Sequence, residues 1–431
     1  MDYRRVLQSV VLAGVLLANA WAGEWTRFRG PNGTGVSDET GLPATWSETE
    51  NLAWKTPLPG AGASSPILWG GRIFLTCYSG YGLDRDDPGD QSQLQRHLIC
   101  ARASDGKMLW NKTVGAVLPE EPYKGMMREN GYASQTPVTD GRLVYVLFGK
   151  TGVIAFDLEG NRAWQTSVGT GSDKMHWGSA ASPILYKDLL LVNAWDESKT
   201  LVGLSKGTGK LIWQADLSEA GLSFSTPVLV DPGNGQMELV VPMPGQVWGL
   251  NPETGKKLWS VRTTHSTVIT ASPVANKGTA YVYGGGPQGS GSLAVRAGGK
   301  GDVTDTHVEW TRSETTGPPS PVLLKGLLYW VDGSGKAYCM DAKTGELRYS
   351  EQLPVSGRFA AYASVVAADQ KLYAVTRTSG TFVLAAEPRF KVLAHNTFAS
   401  DDSEFNASPA ISDGRLFLRS DRFLYCLEKA G

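Results

Sequence analysis

The chain is poor in the side chains that usually carry chemistry. Of its 431 residues only four are cysteine and five are histidine. No two cysteines are adjacent, and neither a Cys-x-x-Cys-His haem attachment nor a zinc-type Cys/His spacing occurs, so no metal site is expected. An excess of one charge is missing too. With 41 Lys and Arg against 42 Asp and Glu, the net charge is −1. That leaves no field to gather phosphate backbones or anionic membranes, and nucleic acid is not an expected partner. Beyond the first residues no apolar run reaches the length of about 18 that a transmembrane helix needs.

Those first residues have the form of an export signal. Arg4 and Arg5 precede an apolar stretch over residues 10–18, and Ala20-Trp21-Ala22 offers small residues for cleavage. Residues 1–22 are therefore read as a signal peptide, and the mature protein as periplasmic or secreted. No cysteine follows the cleavage point to accept lipid, the first being Cys77.

What is present is a repeat. A small residue followed by Pro recurs as Ser65-Pro66, Thr136-Pro137, Ser182-Pro183, Thr226-Pro227, Ser272-Pro273, Ser320-Pro321 and Ser408-Pro409, with Ser364-Val365 as the one variant. The successive spacings are 71, 46, 44, 46, 48, 44 and 44 residues. A period in the forties built from short strands means propeller blades. The expected fold is all-β: an eight-bladed β-propeller of four-stranded antiparallel blades over residues 51–431, preceded by an extension at 23–50.

The second repeat shows one blade clearly. Thr136-Pro137-Val138, residues 141–146, residues 153–157 and Ala163-Trp164 are four β-rich runs separated by turn residues, strands A to D. The C–D hairpins repeat a Thr-Gly pair, as in Thr254-Gly255 and Thr344-Gly345, because glycine accepts the left-handed backbone there. The outer strand then carries Trp110, Trp164, Trp213, Trp259, Trp310 and Tyr349 in blades one to six, an aromatic ring suited to packing blade on blade. In blade seven Leu393 stands where the aromatic is expected. Blade eight runs out of chain before its D strand, and the run around Trp54 supplies it, closing the ring and hiding the edge.

Three cysteines, Cys100, Cys339 and Cys426, occupy a strand-C slot that holds Ala155, Gly203 or Gly249 in other blades. A slot that accepts Ala, Gly or Cys is small and buried, which favours packed thiols. Cys77, on the strand before Cys100, leaves a cross-strand bridge to Cys100 open.

The pattern A-x-D-x-x-T-G-x-x-x-W, matched at the runs ending in Trp213, Trp259 and Tyr349, resembles the repeat of pyrroloquinoline quinone (PQQ) propellers. The run from Phe28 to Gly35 and the run Trp177-Gly178-Ser179-Ala180-Ala181-Ser182-Pro183 resemble the exported eight-bladed members grouped with BamB. That resemblance implies two functions. BamB-like members are protein-binding scaffolds without chemistry, whereas quinoprotein dehydrogenases hold PQQ and calcium on the axis, commonly against adjacent half-cystines. No adjacent cysteine pair or Glu/Asn/Asp calcium set can be placed on matching positions here, so no catalytic residue is carried over and no cofactor is assigned; PQQ with calcium stays an implication of the resemblance alone.

Antiparallel strands put the B–C and D–A loops on one face. Blade one carries long insertions in both, at residues 80–97 and 114–131, and binding concentrates on such loops. Residues just before each A strand surround the channel mouth, which groups Arg128, Glu129, Asn130, Tyr132, His176, Trp177, Phe224, His265, Arg358 and Tyr362 as a candidate funnel for a peptide, glycan or small ligand. Asp84, Asp86, Asp87 and Asp90 only partly match a calcium loop, with Pro88 and Gln95 at ligand positions, and read as a solvated charge run. Gly284-Gly285-Gly286 precedes no helix, so phosphate cradling is not expected. The sequence supports an exported, non-catalytic scaffold binding a protein or other macromolecule through its loop-bearing face, with a PQQ-dependent dehydrogenase or a glycan-binding propeller as alternatives.

Overall fold

The computed structural model describes residues 23–264, 268–284, 291–357 and 359–430. Residues 1–22, expected to be a signal peptide, His265, Arg358 and the second and third glycines of the 284–286 run lie outside the described residues.

The strands form eight separate sheets arranged as propeller blades. Blade one is Ile67–Trp69, Arg72–Ser79, Gln95–Arg102 and Met108–Gly115, paired in that order. Blade eight is Ala410–Ser412, Arg415–Arg419 and Phe423–Glu428, completed by Leu52–Pro57 from the other end of the chain. Trp54 lies opposite Cys426 and Thr56 opposite Leu424, so the two ends of the chain share one sheet. Central strands are buried almost throughout while the outer strands alternate, as in the strand Met108–Gly115, which places the core between the sheets rather than on the axis.

One blade departs from four strands. In blade four a short strand, Gly301–Asp302, adds in parallel to the outer strand Lys257–Arg262. It comes from the lengthened C–D connection of blade five, which folds back over its neighbour's exposed edge.

The aromatic ring docks each blade on the next. Indole Nε1–H of Trp54 donates to the carbonyl of Ala103 at 3.0 Å, Trp110 to Leu158 at 3.0 Å, Trp164 to Lys206 at 3.0 Å, Trp213 to Pro252 at 3.1 Å and Trp310 to Ala342 at 2.9 Å. Trp259 is the exception, because blade five's C–D connection is remodelled. Its Nε1–H donates to the buried carboxylate of Glu238 at 2.6 Å, and the same oxygen accepts the N–H of Gly298 in blade five at 3.0 Å. Tyr349 instead meets Phe390 edge-on, with ring centroids 5.5 Å apart.

The register explains the small strand-C slot. Cys100, Ala155, Gly203, Gly249, Ala294 and Cys339 each lie opposite the aromatic of their own blade. A Cβ at Gly203 or Gly249 would run into the indole of Trp213 or Trp259. In blade seven the residue in register is Ala394, facing Val383, so the expected position at Leu393 is off by one. With no large ring present, the slot fills with valine.

All four cysteines are buried free thiols. Cys77 pairs in register with His97, and Cys100 with Phe74, so the Cys77–Cys100 bridge left open by the sequence is not formed.

A second ring, nearer the axis, accounts for the hydroxyl in the repeated Ser/Thr-Pro step. The backbone N–H of Ser65 donates to Thr136 Oγ1 at 3.0 Å, and the pattern continues from Thr136 to Ser182, Ser182 to Thr226, Thr226 to Ser272, Ser272 to Ser320, Ser320 to Ser364 and Ser364 to Ser408, all at 2.9 or 3.0 Å. Each side chain thereby satisfies a buried donor of the preceding blade that would otherwise be left unpaired.

The extension at 23–50 is a strap across the ring. Trp25 bridges to Leu68 of blade one, Thr26 accepts from Thr139 of blade two, and Val36 bridges to Ala367 of blade seven. Between them Arg29, almost fully buried, donates to the carbonyls of Pro321, Pro273 and Thr34. A segment running from blades one and two to blades five, six and seven has to cross the axis. Its backbone contacts reach Leu68, Thr139 and Ala367 of the A strands, and Arg29 reaches the prolines just before the A strands of blades five and six.

Candidate functional site

The strap turns the axial channel into a cup. All eight hydroxyl residues of the inner ring line a cavity of about 160 Å³, together with Phe28 from the strap, Glu129, Asn130, Trp177, Phe224, Tyr362 and Asn406. Trp177 and Phe224 stack with centroids 5.9 Å apart and planes 16° from parallel. The cup therefore combines aromatic faces with a polar girdle, a composition suited to holding part of an organic ligand.

A larger groove of about 750 Å³ lies at the junction of blades eight and one, lined by residues such as Leu58, Leu83, Arg85, Arg128 and Phe423. Ala63, Glu129, Asn130 and Asn406 line both cavities, so cup and groove form one continuous concave surface. The floor between them is an ionic square. Glu129 accepts from Arg85 at 3.2 Å and from Arg377 at 2.7 Å, while Glu404 accepts from Arg85 at 3.4 Å and also pairs with Arg377. Burial raises the Glu129 pKa, but Arg377 and Arg85 outweigh it and hold the group below its ordinary value. At the groove wall Asp421 is pushed up to about 6, chiefly by burial, against the lowering effect of the Gly62 N–H it accepts.

Not every residue of the sequence-derived funnel faces this surface. Glu129 and Asn130 lie where cup meets groove, Arg128 lines the groove, and Trp177, Phe224 and Tyr362 line the cup. Tyr132 is buried among Tyr78, Tyr81 and Tyr123, its hydroxyl donating to the Glu121 carbonyl at 2.8 Å. His176 stands beside the cup with its Nδ1 2.6 Å from Glu121, in a cluster with Lys150. The acidic loop caps itself: Asp84 accepts from the N–H groups of Asp86 and Asp87, and Asp90 from that of Ser92.

Sequence reasoning missed Phe28, Arg85, Arg377, Glu404 and Asn406. Applying the strand-A rule to blade eight would have reached Asn406, two residues before Ser408. Nothing local marked Arg377, which acquires its role only through pairing with Glu129, 248 residues away.

The residues present do not fit a quinone–calcium pair. Calcium needs several free oxygen ligands, and Glu129, the one carboxylate lining the cup among the described residues, is already neutralised by two guanidinium groups. Among the described residues no group of three or more His, Cys, Asp or Glu could hold a metal ion.

The repeat, the docked aromatics and the eight-sheet ring have their counterpart in a known family. The profile described as outer membrane protein assembly factor BamB matches residues 91–230 and 290–389, more than half of the chain. The chain belongs to this family. Among solved structures, BamB from Moraxella catarrhalis is similar with a TM-score of 0.60 at 12% identity, covering 88% of this chain and 97% of that one. The quinohemoprotein alcohol dehydrogenase of Comamonas testosteroni is similar with a TM-score of 0.61 at 11% identity, covering 96% and 82%. The computationally designed Ika8 protein gives 0.57 at 11% identity, covering 86% and 98%. At such identities the likeness is one of fold. No curated protein sequence matches the chain. No helix among the described residues is long and apolar enough to cross a membrane.

Proposed function

We propose that this BamB-family propeller is an exported, non-catalytic scaffold whose loop-bearing face binds a polypeptide, laid along the groove between blades eight and one and reaching into the axial cup. The observation that carries this reading is the continuity of the two cavities through Ala63, Glu129, Asn130 and Asn406. A groove of about 750 Å³ that runs into a smaller aromatic-lined cup suits a chain with one anchoring residue. The committed ionic square argues for binding rather than for acid–base chemistry, since neither Glu129 nor Arg377 is free to exchange protons. Outer membrane assembly, named in the family's description, makes a polypeptide the natural occupant.

The test is retention of exported polypeptides by immobilised mature protein and by its Trp177→Ala and Arg128→Ala variants. Both variants are expected to lose retention at least tenfold, about 1.4 kcal/mol, with melting temperature nearly unchanged. Equal retention by all three proteins overturns the assignment, and retention of glycans instead transfers the same surface to the glycan-binding reading.

A further inference from the structure

The inner ring leaves something over. Each of the seven hydroxyl oxygens from Thr136 to Ser408 accepts a backbone N–H from the preceding blade. An oxygen that accepts in this way still has a proton to give. Among the described residues none of the ring hydroxyls donates to a protein acceptor, and all of them line the cup. The axis is thus girdled by O–H donors that ask for an acceptor from outside the protein.

The charge beneath them has the matching sign. Phe28 lines the cup, and its neighbours in the strap are Arg27 and Arg29. Neither arginine forms an ion pair among the described residues. Arg29 is held by the carbonyls of Pro273 and Pro321, one residue along the chain from the ring hydroxyls of Ser272 and Ser320. The buried Nε atoms of both arginines lack an acceptor. Burial pushes the Arg27 pKa down to about 10 and, joined by the neighbouring charge of Arg27, the Arg29 pKa down to about 9, while leaving both protonated at neutral pH. Arg29, held beside the ring hydroxyls without a carboxylate partner, and Arg27, close enough to act on its charge, favour an anion in the girdle. Glu129 does not oppose it, because Arg85 and Arg377 neutralise that carboxylate.

We infer that the axial cup is a carboxylate site: a carboxylate accepts from the ring hydroxyls on the side of blades five and six, above Arg29, with its apolar body between Phe28 and the Trp177–Phe224 stack. This deepens the reading of cup and groove as one surface by naming what enters the cup. The carboxylate has two sources, a free small organic acid or the end of a polypeptide lying in the groove.

The test titrates the mature protein with benzoate and with its neutral isostere benzamide, by calorimetry and melting temperature. Saturable benzoate binding at least tenfold tighter than benzamide is expected. Equal affinities, or no binding of either, overturn the inference without any variant being made. Arg27→Met removes a guanidinium that makes no side-chain hydrogen bond among the described residues, and is expected to fold and to weaken benzoate at least tenfold; undiminished benzoate binding by the folded variant counts against the charge argument. Gly-Gly-Phe and its C-terminal amide separate the sources. Tighter binding of the free tripeptide than of benzoate identifies a polypeptide terminus, and the reverse identifies a free acid. Charge selectivity in the cup and retention of polypeptides by the groove are separate readouts, so one can fail while the other stands.

Discussion

Two concentric rings hold the blades together, and they differ in how much variation they bear. In the outer ring an indole reaches from one blade to a carbonyl of the next; in the inner ring a backbone N–H reaches to a hydroxyl of the next. Both donate in the same rotational sense. The outer ring changes its chemistry at blade four, where Glu238 relays the bond, at blade six, where Tyr349 packs on Phe390, and at blade seven, where Ala394 replaces the aromatic. The inner ring runs unaltered through those same blades. At large radius the sheets diverge and the gap can be filled in several ways. Near the axis a buried N–H has one place to go, and only a short hydroxyl fits there.

This contrast can be broken experimentally. The largest effect is expected from Trp259→Ala, which empties a fully buried site and strands Glu238; a loss of about 3–5 kcal/mol in urea unfolding is expected, and less than about 1 kcal/mol would show that the outer ring is merely decorative. Ala394→Trp alone should overpack blade seven by about 1–3 kcal/mol, and adding Val383→Gly, which recreates the slot seen at Gly203 and Gly249, should restore most of that loss. If the double variant is no better than the single, the slot does not act by size. Ser320→Ala leaves the Ser272 N–H unpaired and is expected to cost about 1–3 kcal/mol, whereas Ser320→Thr should be nearly neutral, since Thr already serves at positions 136 and 226. Equal stability of the Ala and Thr variants would remove the hydrogen-bond account of the inner ring.

The same contrast explains what was legible in the sequence. Trp213, Trp259 and the Thr-Gly hairpins repeat at fixed spacing, so architecture, blade number and the closing strand around Trp54 could be read directly. The Ser/Thr-Pro step was visible for the same reason, but its hydrogen bond joins different blades, and a period alone does not say what the hydroxyl meets. The error at Leu393 arose because blade seven lacks the aromatic that sets the register. The site was harder still. Trp177 and Phe224 could be placed by their position before an A strand, but Tyr132, at an equivalent position, is drawn into a tyrosine core. Arg85, Arg377 and Glu404 come from loops of three blades, and no local pattern records their meeting.

The strap carries a consequence for the order of events during synthesis. Residues 25–36 touch blades one, two, five, six and seven, and the strand that follows completes blade eight. The strap and the closing strand must therefore wait for blades that follow hundreds of residues later, and contacts between such distant partners form slowly. A cup with a floor exists only once blades five to seven have formed and the seam at blade eight is sealed. A chain stopped short of those blades would build several sound sheets around an open hole, so a closed cup doubles as a record that the ring was completed.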